Sequence, residues 1–497
     1  MIVFVPLLIT WGDLEFTFWL SAAHLLSSIL VLYEPDLEKA PDDGFTYRGQ
    51  LGILNRLKMS PAQIVALSFF GLIFAGAFVL KLPVSAREGV TVPFIDCLFV
   101  STSAVCVTGL STISIGNSFS YFGQFVILIL IQVGGLSIMT FYSSIAILLG
   151  KSMPMKDRIM MQDLLEVSSL EDLLSVVIDI MKYTFVIELW GTVILSIGFM
   201  VEGENFGMAI YYGFFHSVSA FCNAGFSVFD TNLENYATNP LIHGTVAVLI
   251  ILGGLGFIVL KEVTEVIVKR RSFVRMTLHS KTVIVTTIAL VVAGTLFIFF
   301  SEFLHALDKF SVIDKFQIAF FQSVTSRTAG YDTIPMASLN SYTLYVIVML
   351  MFIGASPGST GGGIKTTTFA ILVQSIRATL RGRKTITMFD RTISSTISLK
   401  ATALSVISLA VVCFFILLMM KVEPNQSFLS LTFEVISAFG TVGLSMGITP
   451  FLSVIGKAII CMVMFIGRVG PLTLVLAIGE RGREGFVEHP EGRIMIG

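Results

Sequence analysis

The chain has 497 residues, 55% of them hydrophobic and only 13% charged, with a formal net charge of −1 and a mean hydropathy of +0.87. Soluble domains carry about 25% charged residues, so this chain has roughly half the charge that a water-facing surface requires and reads as an all-α integral membrane protein. The balanced charge offers no basic field for nucleic acid. Its five cysteines, Cys97, Cys106, Cys222, Cys413 and Cys461, show no C-x-x-C spacing, which argues for buried hydrophobes over a disulfide framework or zinc site.

Residues 1–33 are apolar apart from Asp13, Glu15 and His24. They lack the positive n-region of a signal peptide, and read as one span from about Phe16 to Tyr33 or as a hairpin. Long apolar runs follow at 63–82, 120–149, 174–200, 242–268, 282–303, 343–377, 398–421 and 451–479, each near or above the roughly 20 residues a span needs. Between the members of each pair lies a shorter apolar segment: Val92 to Cys106, Gly207 to Cys222, Ser311 to Thr325 and Gln426 to Phe439. These are too short to cross and fit re-entrant helices.

Each short segment ends in a similar string: SAVCVTGLS, SAFCNAGFS, VTSRTAGYD and SAFGTVGLS, centred on Gly109, Gly225, Gly330 and Gly443. The strings recur about every 110 residues, the mark of an internal repeat. A glycine cluster follows each in phase: Gly134 and Gly135, Gly253 and Gly254, Gly354 through Gly363, and Gly467 with Gly470. Each unit therefore reads as span, re-entrant helix, glycine string, and a second span with a glycine break. The expected organisation is an N-terminal membrane segment and linker at 1–50, then units at 51–170, 171–278, 279–395 (with an intramembrane loop) and 396–497 (with a short tail).

The loops between units are basic: Lys151, Lys156 and Arg158; Lys269, Arg270, Arg271, Arg275 and Lys281; Arg377, Arg381, Arg383, Lys384 and Arg391. The positive-inside rule places them in the cytoplasm and the glycine strings toward the outside. Two spans per unit restore the starting side, so four parallel units can surround an axis along the membrane normal, unlike the inverted repeats of many coupled transporters. Non-helical backbone at membrane depth is tolerated where it is buried or lines water. Four such segments on one axis would present rings of carbonyl oxygens able to replace the hydration shell of a cation. Glycine permits the backbone angles that aim a carbonyl inward, and the negative ends of the re-entrant helices favour a cation below.

The strings, together with GASPGSTGGGIKTTTF (Gly354 to Phe369) and FIGRVGPLTL (Phe465 to Leu474), resemble the Trk/Ktr/HKT superfamily of cation transport proteins, over about residues 50–480. The resemblance implies a multi-pass plasma-membrane subunit, usually a homodimer, that conducts potassium and is gated by a separate cytosolic RCK-type nucleotide-binding ring. No covalent cofactor is implied; K+ is the transported ion, with Na+ a candidate activator or coupling ion. By resemblance the filter comprises Val107, Thr108 and Gly109; Asn223, Ala224 and Gly225; Thr328, Ala329 and Gly330; and Thr441, Val442 and Gly443. Glycine in all four strings goes with potassium preference, whereas serine in the first goes with sodium-preferring members. Arg327 replaces the Cys106, Cys222 and Gly440 of the other strings and is expected to brace the filter from behind.

Five glycines, Gly354, Gly358, Gly361, Gly362 and Gly363, join Pro357 inside one apolar run, a composition that breaks an α-helix. A simple kink is one reading; the resemblance implies a movable intramembrane loop, its freed backbone groups satisfied by Thr360, Lys365 and the hydroxyls of Thr366 to Thr368. Arg468 stands alone in the last apolar run, roughly 25 Å down a helix starting near Phe451. It either snorkels to the inner interface or acts as a barrier or latch meeting the 354–363 loop. Glu188 is the other lone mid-span charge and reads as a structural partner. Asp230 and Asp332 follow strings on the outer side, where acids can concentrate cations but are commonly no more than loop surface.

No nucleophile elbow or metal spacing is present in the sequence, which disfavours a membrane-embedded enzyme. A sodium-conducting or sodium-coupled transporter of the same architecture is the main alternative. The residues after the last span are too few for a nucleotide-binding domain, so nucleotide control is expected from a second chain docked on the basic loops.

Overall fold

The computed structural model describes residues 61–136, 173–268, 270, 272–383 and 385–470. The expected N-terminal span, the basic residues Lys151, Lys156 and Arg158, and the C-terminal tail lie outside these. Among the described residues four helices are long and apolar enough to span: α1 (Pro61–Lys81), α4 (Leu173–Val201), α8 (Leu278–Glu302) and α12 (Ser395–Val422). Their apolar residues lie all round the helix, as suits elements facing lipid on one side and protein on the other.

Each is followed by a short helix: α2 (Phe94–Val105), α5 (Phe206–Phe221), α9 (Val312–Thr325) and α13 (Phe428–Gly440). At 1.5 Å per residue these span roughly 18–24 Å, short of the hydrocarbon thickness of about 30 Å. Their C-terminal halves are nevertheless deeply enclosed: from Phe99 to Val105, from Phe215 to Phe221 and from Phe433 to Gly440 every residue is buried. Serine starts two of them, Ser311 accepting from the Asp314 amide and Ser427 from the Ser430 amide, which satisfies otherwise orphaned N–H groups.

The second helices are interrupted. After α3 (Tyr121–Gly135) come α6 (Pro240–Leu255) and α7 (Phe257–Val268), which meet at a 107° bend. The hinge is Gly256, at φ +91°, three residues past the expected Gly253. In the third unit α10 (Ser341–Phe352) stops, a loop follows, and the chain resumes as α11 (Thr366–Leu380). A small hairpin, β1 (Ile386–Met388) with β2 (Arg391–Ile393), leads to α12, and α14 (Val454–Val469) ends the described chain.

Two contacts recur in register. Ser101, Ser217 and Ser323, one on each of the first three short helices, donate to the Ile73, Glu188 and Val291 carbonyls of the preceding span at 2.7, 2.7 and 2.8 Å. Gly76, Gly191 and Gly294 stand against these hydroxyls, leaving no room for a Cβ. An acid at or just past the end of a first span also reaches the start of its second helix: Glu202 accepts from Asn239, Glu302 from the Asn340 amide at 3.0 Å, and Glu423 from the Ser453 amide at 2.8 Å. The Glu302 and Glu423 contacts satisfy a backbone N–H at the start of the second helix, and the Glu202 contact holds the side chain of the capping Asn239. Four cysteines are buried, as expected, but Cys413 is exposed on α12.

Candidate functional site

Each short helix gives way to an irregular triplet. Its first residue is left-handed in every unit: Val107 (φ 56°), Asn223 (58°), Thr328 (69°) and Thr441 (50°). The third is a left-handed glycine: Gly109 (94°), Gly225 (66°), Gly330 (76°) and Gly443 (96°). A β-branched residue such as Val107 or Thr328 at positive φ is strained, and such strain persists where surrounding structure over-determines it. Here the helix end does so. The Thr108, Ala224 and Val442 amides donate back to the Ser103, Ser219 and Ser437 carbonyls at 2.8, 2.7 and 2.8 Å. The Gly109 and Gly443 amides donate to the Ser103 and Ser437 hydroxyls at 3.0 and 3.1 Å.

The four triplets touch in cyclic order. A Cβ on Gly109 would meet the Ala224 oxygen at 2.6 Å; on Gly225, the Ala329 oxygen at 2.5 Å; on Gly330, the Val442 oxygen at 2.5 Å. One on Gly443 would press on the Thr108 oxygen, so the sequence of contacts returns to the first unit. Every glycine thus makes room for the carbonyl preceding its counterpart in the next unit, a closeness that no other residue permits. Lys457 of α14 pairs with Asp96 of α2 at 2.6 Å, joining the fourth unit to the first a second time.

The in-phase glycine clusters have a specific partner. Gly134, Gly253 and Gly467 lie on the carbonyl oxygens of Val105, Phe221 and Phe439, the last or penultimate residues of three short helices. The second helices therefore run directly against the carbonyl ends of α2, α5 and α13. In the third unit the helix has ended, and the 353–365 loop takes its place beneath the triplets. The Gly362 amide donates to the Thr441 hydroxyl at 2.9 Å, and Gly361 lies on the Thr328 side chain. Thr360 binds the Gly253 carbonyl through its amide and its hydroxyl, at 3.3 and 3.2 Å. The Ser356 amide donates to Gly254 at 3.1 Å, and the Phe257 amide to Gly358 at 3.1 Å, beside the Gly256 hinge. Gly354 and Gly363 pack on the opposite strand of the same loop, while Pro357 lies with its oxygen against Gly256. Lys365 donates to the Gly361 carbonyl at 2.7 Å, and the Thr366 hydroxyl to Ser356 at 2.9 Å.

Arg468 reaches the same loop. Its guanidinium donates to the Thr360 carbonyl and, through its other nitrogen, to the Gly134 carbonyl, with Gly135 at 3.4 Å. One side chain therefore ties the last helix, the third unit's loop and the first unit's second helix, and it does not snorkel. Arg327 is buried among Ile250, Val291 and Ala355 and donates to Gly354 at 3.4 Å, joining the third triplet to the start of the loop. The Asn223 amide meets the Thr328 hydroxyl at 3.4 Å; turned so that its nitrogen faces them, it donates to the Ile250 and Ala220 carbonyls at 3.2 and 3.1 Å.

The acids of the outer loops have specific surroundings. Asp230 accepts from Ser114, and from the Asn117 amide at 2.6 Å, so it clips the first unit's loop to the second's. Asp332 lies by the third triplet; burial, then the charge of Glu234, pushes its carboxyl up to about 7. Glu188 contacts the Cys222 thiol at 3.9 Å behind the second triplet, a structural placement. Missed from the sequence were Glu434, buried on α13 and accepting from Ser445 and Thr449, and the Asp96–Lys457 pair.

Comparison with known proteins identifies the family. The sequence profile of the TrkH family, described as cation transport proteins, matches residues 58–482. The chain is 38% identical over 447 residues to the Ktr system potassium uptake protein B of Bacillus subtilis, covering 90% of this chain and 98% of that one. It is 39% identical over 450 residues to the potassium/sodium uptake protein NtpJ of Enterococcus hirae, covering 89% and 98%. Its fold resembles the crystal structure of the potassium transporter TrkH from Vibrio parahaemolyticus, with a TM-score of 0.67 at 18% identity, over 96% of this chain and 97% of that one. The chain is a multi-pass membrane transporter, not an enzyme, and belongs to the TrkH family of cation transport proteins.

Proposed function

We propose that this chain is the potassium-conducting subunit of a Ktr/Trk-type uptake system, with four parallel units around one pore. The observation that carries the reading is the cyclic contact of Gly109, Gly225, Gly330 and Gly443 with the carbonyls of Ala224, Ala329, Val442 and Thr108. A closed ring of backbone oxygens provides the ligands that a dehydrated monovalent cation needs, and its glycines fix the ring's diameter because a Cβ would push the oxygens apart. Triplet residues Val107, Asn223, Thr328 and Thr441 set the left-handed turn that starts each segment.

In this reading the loop beneath the ring is the gate. Gly361 and Gly362 stand on Thr328 and Thr441, and Arg468 holds Thr360 against the first unit. Opening requires the loop to leave Thr441, which Gly354, Gly358 and Gly363 make possible by absorbing the backbone change. Control falls to a separate cytosolic nucleotide-binding partner, and the subunit works as a homodimer; both are inferred from the family. The relative's name, a potassium/sodium uptake protein, supports a second reading in which Na+ also passes or activates. Flux of K+, Rb+ and Na+ into liposomes holding the purified chain separates the two. Potassium and rubidium well above sodium supports the first reading, and comparable rates support the second.

A further inference from the structure

Beyond the pathway, the strongest feature is a basic cluster at the inner end of α11. Arg377 and Arg381 are one helical turn apart, so they share a face, and Arg383 follows two positions later. The three guanidinium-bearing residues converge with Gln374, Thr385 and Thr387 on a pocket of about 30 Å³, room for one or two oxygen atoms. All three arginines are exposed, and among the described residues none makes an ion pair or a side-chain hydrogen bond. Unneutralised arginines side by side repel one another, and a planar guanidinium suits a phosphate oxygen pair.

The neighbouring face carries the second observation. Ile376 and Leu380, alternating with the arginines on α11, are 59% and 81% exposed, and Leu399 at the start of α12 is 70% exposed. A helix end that is basic on one side and openly apolar on the other fits the boundary between headgroups and acyl chains. Basic pockets between helices on the cytoplasmic side bind anionic headgroups, and the positive-inside rule puts this cluster there.

We propose that Arg377, Arg381 and Arg383, with Thr385 and Thr387, form a binding site for the phosphate of an anionic phospholipid of the inner leaflet, whose chains lie along Ile376 and Leu380. The occupant is a lipid and not free phosphate, because exposed Ile376 and Leu380, on the helix stripe next to Arg377 and Arg381, give an acyl chain its surface. The site sits at the far end of the helix that begins at Thr366, directly after the loop.

The test is native mass spectrometry of the full chain in detergent, titrated with dioleoylphosphatidylglycerol, dioleoylphosphatidylcholine or inorganic phosphate. Phosphatidylglycerol should bind roughly tenfold or more tightly than phosphatidylcholine, with phosphate alone not retained. The Arg377→Gln/Arg381→Gln/Arg383→Gln variant should lose that preference. The corresponding triple lysine variant, which keeps the charge, should retain most of it, and Arg270→Gln/Arg275→Gln should bind as wild type. Unchanged phosphatidylglycerol binding in the triple glutamine variant, an equal loss in the Arg270/Arg275 variant, or retention of phosphate in place of lipid would overturn the proposal. The readout is independent of ion flux, so it stands or falls separately from the conduction reading.

Discussion

Lys457 and Asp96 lie 361 positions apart in the chain and meet at 2.6 Å, their side chains 12% and 7% exposed. The pair joins α14 to the first short helix, closing the same circle that the glycine strings close. Asp96→Asn leaves a largely buried ammonium without its charge partner, which costs about 3–5 kcal/mol. The midpoint of thermal unfolding in detergent should fall by several degrees. Asp96→Leu with Lys457→Met removes both charges and should recover most of that loss, because an apolar pair of similar volume needs no solvation.

In the proposed function Arg468 holds the pathway shut. Its guanidinium takes the Thr360 carbonyl on one nitrogen and the Gly134 carbonyl on the other. Arg468→Ala removes both contacts and a positive charge beneath the ring, so cation flux in liposomes should rise several-fold. The potassium-to-sodium ratio should stay within about twofold of wild type, because the ring of oxygens is not touched. Arg468→Lys keeps the charge but cannot span two carbonyls with a fixed fork, and should fall between the two. Unchanged flux in the alanine variant would remove the latch role.

The helix glycines divide by what stands next to them. Gly467 lies on the Phe439 carbonyl, whereas a Cβ on Gly71 of α1 would meet nothing within 4 Å. Gly467→Ala should therefore cost about 1–3 kcal/mol through overpacking, and Gly71→Ala should be neutral or gain up to about 1 kcal/mol in helix propensity. Thermal unfolding of the two variants side by side measures the difference. Equal midpoints would mean that the close approach of α14 to α13 is not required.

Much of this was legible in the sequence because backbone geometry selects glycine strongly. The strings at 109, 225, 330 and 443 coincide with left-handed φ, and the clusters at 134, 253 and 467 with sites where a helix touches a carbonyl. The family resemblance pointed to Arg468 and the loop together. Other features left no such trace. Serine is tolerated almost anywhere, so Ser101, Ser217 and Ser323 did not stand out, although their spacing repeats as the strings do. From the sequence Asp230 could be a mouth acid or plain loop surface, and neither reading predicts its bonds to Ser114 and Asn117. The hinge at Gly256 was hidden by the more conspicuous pair at 253 and 254, whose role is packing.

The most direct test of the account is the first glycine of the ring. Gly109 sits at φ +94°, and a Cβ there would come within 2.6 Å of the Ala224 oxygen, so Gly109→Ser strains the backbone by about 1–3 kcal/mol and displaces one carbonyl of the ring. Influx of K+, Rb+ and Na+ should be measured in liposomes of the wild type and of this variant. The expected result is potassium and rubidium well above sodium in the wild type, with discrimination reduced about tenfold or more by serine. Wild-type discrimination that survives Gly109→Ser unchanged would contradict selection by this ring of backbone oxygens.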